Sequence, residues 1–225
     1  MSGIGSLNET ALHAALKSSV APTGSSFEVD VDGYVIDIVA GDLLIEVQTR
    51  SLGKLKPKLG ALLPSHRMRL VVPIAERRYL VKLGEDGSAG KRRLSPKRGA
   101  LLSVCAELVA FPELLDHDNL ELEILLTDQV EFRSLQPGKA WRRRGWVTVG
   151  RELLSVNSRR LLCRPGDLLA LLPDALPDVF STADLARVAG VPRRLAQQTA
   201  YCLRRLKLLE TAGKSGNAVL YRAVH

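Results

Sequence analysis

The chain has 225 residues, 46% of them hydrophobic, and carries 32 Lys+Arg against 24 Asp+Glu for a formal net charge of +8. That much apolar material builds a real core in one large or two small domains, and a positive excess suits a polyanionic partner, because each neutralised phosphate releases a counterion. Cys105, Cys163 and Cys202 stand far apart with no CxxC pair, which argues against a disulfide framework and a zinc finger. The opening MSGIGSLNET lacks the basic start and apolar run of a signal peptide. Nor does any apolar stretch approach the roughly 20 residues that span a bilayer, so the expectation is a cytoplasmic protein with no membrane partner.

In chain order, residues 6–20 (SLNETALHAALKSSV) read as a helix capped by Ser6 or Asn8, with Leu7, Leu12, Ala15 and Leu16 on an apolar face and Glu9, His13 and Lys17 together on another. Three strand patterns follow: FEVDV (27–31), YVIDIV (34–39) and LLIEVQT (43–49), joined at Asp32-Gly33 and at Ala40-Gly41-Asp42. Both joints offer the Gly that a tight hairpin turn requires, so the three form a meander. Residues 54–63 predict a helix with Pro57 in its first turn. MRLVVPI (68–74) is apolar enough to be a buried strand, and RRYLVKL (77–83) predicts another. Residues 84–98 read as a mobile basic linker, five of the eight from Lys91 to Arg98 being Lys or Arg. After it come a helix-like PKRGALLSVCAELVAF, an alternating LELEILLTDQVEFR and a basic, aromatic WRRRGWVTV. These do not by themselves define a fold: residues 91–170 either extend the first domain or lead into the last. From about Leu176 the pattern becomes a short capped helix (181–190), a longer helix (191–210) and a Gly-rich turn between strand-like residues (212–224).

The informative constellation is Asp37, Glu46 and Gln48. Alternation along a strand puts Glu46 and Gln48 on one face. A hairpin closed around Gly41 sets Asp37 nearly opposite Glu46, within cross-strand reach. Two carboxylates and an amide oxygen then meet between apolar neighbours. Carboxylates brought together beside a core repel and resist ionisation unless a cation holds them, and hard divalent cations take oxygen ligands. The competing reading is two solvent-facing acids on an ordinary meander.

At these residues the chain resembles the PD-(D/E)xK nuclease superfamily, in which an Asp on one strand precedes Glu-x-Lys on the next. Here the pattern is Ile-Asp37-Ile followed by Leu-Ile-Glu46-Val-Gln48. Gln48 departs from the common Lys, a Glu-x-Gln variant that some restriction endonucleases of the superfamily share. The resemblance covers roughly residues 5–75 and includes the order helix, three strands, helix, strand. It implies an α/β fold, with a restriction-endonuclease-like mixed sheet core and flanking helices. It also implies Mg²⁺ (or Mn²⁺) on Asp37 and Glu46, with Glu9 from the first helix as a further ligand. A displaced lysine from the next helix is another recurrent variant, with Lys54, Lys56 and Lys58 as candidates and Lys58 favoured by its place in the helix body. Gln48, a neutral amide, can position water or ligate metal but cannot act as a base.

The C-terminal segment resembles a winged helix-turn-helix, a small α+β domain, with Gly190 in the turn and GKSGNAVLYRAV as the wing. It carries eight Lys/Arg against three Asp/Glu from Leu176 onward. The resemblance implies that Arg193, Arg194, Gln197 and Gln198 meet base edges or phosphates, with Lys214 and Arg222 on the wing. Arg142 and Arg143, between Trp141 and Trp146, fit either DNA contact or a solvated turn beside a buried ring. The sequence thus predicts a nuclease-like domain over 1–90, a basic middle region over 91–170 and a winged helix over 171–225. The expected activity is metal-dependent hydrolysis of DNA, with two copies for the two strands of a duplex. The alternative is a non-catalytic DNA-binding regulator, and behind it a protein-interaction adaptor.

Overall fold

The computed structural model describes residues 10–49 and 51–224. Helix α1 (Ala11–Val20) starts at Thr10, whose hydroxyl accepts from the His13 backbone N–H at 3.3 Å. The expected caps, Ser6 and Asn8, lie outside the described residues. Leu12, Leu16 and Val20, one helical turn apart, are buried against Ile38, Ile45, Val47, Val71 and Leu125.

The chain then forms the meander β1 (Ser26–Val31), β2 (Tyr34–Ala40) and β3 (Leu43–Val47), paired antiparallel. Asp32 and Gly33 both take positive φ, 51° and 81°, as a two-residue turn matched to strand twist requires. A 3-10 turn leads into α2 (Lys56–Leu62), with Pro57 in its first turn where no N–H is missed. Buried Leu59 and Leu62 lay this helix on the sheet face opposite α1, in a separate apolar cluster. The chain returns in β4 (Arg67–Lys82), parallel to β3.

Two expectations fail beyond this point. The two strands expected over 68–74 and 77–83 merge into one 16-residue strand, β4 (Arg67–Lys82), with a register irregularity between Ala75 and Arg77. Residues 84–98 are no mobile linker. They fold back on β4 through the Gly90 N–H to the Lys82 carbonyl (2.8 Å) and the two-residue strand β5 (Arg93–Leu94). The Ser95 N–H to the Arg78 carbonyl (2.7 Å) and the Gly99 N–H to the Ala75 carbonyl (3.0 Å) complete the contact. The basic run hid this pairing because backbone hydrogen bonds do not depend on side-chain polarity. The helix expected over 96–111 shortens to a 3-10 turn and α3 (Cys105–Leu108). β6 (Leu120–Leu135) pairs parallel with β4, and β7 (Trp146–Leu162) antiparallel with β6. Residues 91–162 therefore complete one seven-stranded mixed sheet, ordered β1-β2-β3-β4-β6-β7 with β5 beside β4.

After α4 (Pro165–Leu169) come β8 (Val179–Ser181), α5 (Thr182–Val188), α6 (Arg193–Arg205), β9 (Leu209–Ser215) and β10 (Ala218–Ala223). The three strands form a small sheet in the order β8-β10-β9. α6 buries Ala196, Thr199, Ala200, Cys202 and Leu203, and the Cys202 thiol lies 3.5 Å from the Cys105 carbonyl. One apolar cluster runs from Ile36 to Leu209, so the C-terminal elements share the core of the large sheet. No helix among the described residues is long and apolar enough to cross a membrane.

Two glycines give opposite expectations. A methyl group at Gly99 would lie 2.5 Å from Ile74 Cγ2 and 2.6 Å from the Ala75 carbonyl oxygen, whereas one at Gly60, in α2, meets nothing within 4 Å. Gly99→Ala is expected to destabilise by about 1–3 kcal/mol through overpacking. Gly60→Ala is expected to stabilise by about 0.4–1 kcal/mol. Urea unfolding of both variants checks the pair.

Candidate functional site

The β2–β3 ladder pairs Ala40 with Leu43, Val39 with Leu44 and Ile38 with Ile45. The next step of that register sets Asp37 opposite Glu46, as the sequence predicts. There the regular ladder stops. The Val47 N–H donates to the Asp37 carboxylate at 2.8 Å, while the Gln48 N–H has turned to the Val71 carbonyl of β4 at 2.9 Å. A side chain replaces a backbone acceptor where β3 parts from its antiparallel neighbour β2 while its parallel pairing with β4 continues.

Each carboxylate is reached by a basic side chain from a helix. His13 of α1 places Nε2 3.2 Å from Asp37 Oδ2 and 2.9 Å from the Val47 carbonyl, so these two oxygens converge on one point. On the α2 side, Lys58 donates to Glu46 Oε2 and to the Val35 carbonyl, both at 2.6 Å. The Glu46 and Lys58 side chains are only 12% and 13% exposed, so the pair is largely screened from water. Lys54 and Lys56 are exposed.

The two acids are pushed in opposite directions. Burial and then the nearby Asp37 charge raise the Glu46 carboxyl above its ordinary range, against the pull of Lys58. For Asp37, burial again acts upward. Hydrogen bonds from His13 and the Val47 N–H, with the charges of His13 and Lys58, outweigh it and hold the carboxyl low.

The amide expected to join them does not. Gln48 Nε2 donates to the Ser51 carbonyl at 3.3 Å, so three side-chain donors do not meet as the strand alternation suggested. β3 ends at Val47, and beyond it the strict two-residue alternation no longer applies. Glu9 lies outside the described residues. Among the described residues no three His, Cys, Asp or Glu side chains form a group able to hold a metal. Asp37 and Glu46 offer hard oxygen ligands, but the point on which the Asp37 and Val47 oxygens converge is filled by His13 Nε2, and Glu46 Oε2 is held by the Lys58 ammonium. His13 was missed as a site residue. Its signal was its place four residues after Glu9, on the helix face that the sequence pattern gives to both.

Elsewhere the expected DNA-contact residues separate into groups. Arg193 and Gln197 line a cleft of about 220 Å³ with Thr182 and with Asn217, Ala218 and Val219 at the tip of the β9–β10 hairpin. Arg194 and Lys214 are exposed, and Gln198 is half-buried. Arg222 stands apart: it lies 3.7 Å from Glu210 and lines a different cavity, with Leu169, Leu176 and Phe180. Arg142 stacks on the exposed Trp141 ring, 5.0 Å from its centroid. Arg143 turns the other way, donating to Thr148 at 3.1 Å and approaching the buried Glu131.

Residues 10–163 match the family model described as Domain of unknown function (DUF8091). A relative from Treponema pallidum (strain Nichols), described as an uncharacterized protein, is 36% identical over 222 residues, covering 97% of this chain and 87% of its own. No solved structure matches.

The split in carboxylate behaviour has a measurable sign. Asp37 contributes stability that is complete above its ordinary value of 3.8 and is lost as pH falls through its depressed one. Glu46 acts oppositely: its contribution is present below 4.5 and is lost as pH rises through its raised value. Carbon-13 NMR titration is expected to show Glu46 moving further up in Lys58→Met and Asp37 moving up in His13→Ala. Unchanged midpoints would refute these pairings.

Proposed function

The chain belongs to the DUF8091 family, and we propose that it is a metal-dependent DNA endonuclease whose C-terminal elements act as a winged helix that holds the DNA. The observation that carries this reading is the placing of Asp37 and Glu46 on adjacent strands at the split hairpin, near enough for the Asp37 charge to raise the Glu46 carboxyl, with Lys58 brought in from the next helix. The chain order α1, β1, β2, β3, α2, β4 supports it, because that is the order the nuclease resemblance calls for.

Asp37 and Glu46 would hold Mg²⁺ or Mn²⁺, with Glu9 as a further carboxylate. When bound, such an ion lowers the pKa of a coordinated water and offsets charge on the scissile phosphate. His13 fixes the Asp37 carboxylate by its 3.2 Å contact, so that oxygen is oriented in advance. Lys58 supplies the positive charge that Gln48 cannot, and its Val35 contact anchors the ammonium beside the carboxylates. Gln48, held to the Ser51 carbonyl, keeps the outgoing chain close to β3. Arg193, Arg194 and Gln197 at the start of α6, with Lys214 on the hairpin, would engage bases and phosphates. Two copies would serve the two strands of a duplex.

A second reading, a DNA-binding regulator without catalysis, is favoured by one observation: the Gln48 amide points to Ser51, away from the acids. The two readings separate in a nicking assay with Mg²⁺ or Mn²⁺. The endonuclease reading expects cutting that falls roughly a hundredfold or more in Asp37→Ala, Glu46→Ala and Lys58→Met, the order seen when preorganised charge is removed from a reacting centre. DNA binding should survive these changes but weaken in Arg193→Ala/Arg194→Ala. Binding with no cutting in any metal would leave the regulator.

A further inference from the structure

Past the end of β3, strands β4, β6 and β7 continue together as a ribbon. On it one carboxylate, Glu131, only 2% exposed, is surrounded by four guanidinium groups. Arg133 lies at 2.7 Å, Arg78 at 3.6 Å, Arg151 at 3.8 Å and Arg143 at 3.9 Å. The hydrogen bonds to Glu131 come from Arg133 and from Thr148 at 2.9 Å. Arg78 and Arg151 are close enough to feel the charge, yet the buried Nε of each finds no acceptor among the described residues. One negative charge cannot balance four positive ones, and Arg78 and Arg133, 31% and 20% exposed, are only partly screened by water.

The surplus has an outlet. Arg78 and Arg151 line a cavity of about 390 Å³ with Lys97 and Arg98, against a single acid, Glu107. The loop carrying Lys97 and Arg98 is held to β4 at both ends by Ser95 and Gly99. Gly99 is required there, because any side chain would strike the Ala75 carbonyl. Thr49, two residues beyond Val47, lines the same cavity, which therefore opens beside the split hairpin. A second cavity shares Thr49 and Arg151 and reaches Thr10, at the start of α1.

We propose that the cavity formed by Arg78, Arg151, Lys97 and Arg98 is a phosphate site, which grips the DNA backbone next to the phosphate presented to Asp37 and Glu46. Guanidinium forks match a phosphate's oxygens two at a time, and a half-enclosed cavity strengthens such bonds. The phosphate supplies the anion that Glu131 alone does not. This rests on DNA being the ligand, but not on DNA being cut.

The test is the salt dependence of binding of a short fluorescein-labelled DNA duplex to the full chain, read by anisotropy in EDTA. Each neutralised duplex phosphate contributes about 0.9 to the slope of log affinity against log salt. Lys97→Gln/Arg98→Gln, at two exposed positions, is expected to flatten the slope by about 0.9. Arg151→Gln should do the same, since the Nε it removes makes no hydrogen bond among the described residues. Arg164→Gln, just past the other end of β7 and 82% exposed, should leave the slope unchanged. Wild-type slope and affinity in both cavity variants, or no DNA binding at low salt, overturns the proposal. Because no metal is present, loss of the slope in a protein that never cuts DNA would refute the nuclease reading alone. Cutting with unaltered slopes would refute the phosphate site alone.

Discussion

The structure depends on the point where β3 parts from β2 while staying paired with β4. Up to Ile45 the strand pairs with β2 in a hairpin, and along the same stretch it also borders β4 in parallel. At Val47 the β2 side opens and a carboxylate takes over an amide that the ladder would have used. This opening lets helices on opposite faces of the sheet reach one locus, His13 from α1 and Lys58 from α2. Each helix is fixed in place by leucines buried in its own cluster. Without the opening, Asp37 would be one more alternating residue and neither cation would have an acid to meet.

The same logic of charge placed inside a sheet continues along β6. Its carboxylates each face arginines on the flanking strands: Glu121 with Arg67 and Arg69, Glu123 with Arg69 and Arg159, Asp128 with Arg77. At those positions acids and bases roughly balance, as a structural lattice of cross-strand pairs would. At Glu131, by contrast, four arginines surround one acid, and two of them border a cavity. The proposed phosphate site rests on that asymmetry.

Much of the N-terminal half was legible in the residues. The meander, its Asp32-Gly33 turn, the α2 helix and the Asp37–Glu46 register all follow from alternation and turn chemistry, which act over a few residues. The ribbon was not legible. The β4 residues RRYLVKL looked like a separate strand because Glu76 and the charges after it interrupt the apolar run, yet the parallel neighbour β6 carries pairing through the break. The 84–98 segment looked disordered because its backbone bonds are invisible to composition. His13 and the fate of Gln48 were hidden for a related reason: one depends on how α1 lies across the sheet, the other on where β3 ends. The joining of α6 to α3 through Cys202 and Cys105 likewise needs two elements far apart in sequence.

The central claim is that a divalent ion settles among the oxygens of the parted hairpin. Isothermal titration of Mn²⁺ into the full-length protein addresses it without reference to any substrate. The account predicts a saturable site in the wild type that disappears when Asp37 and Glu46 are both changed to the corresponding amides, with the fold intact by circular dichroism. Identical Mn²⁺ uptake in the two proteins, or none in either, would contradict it.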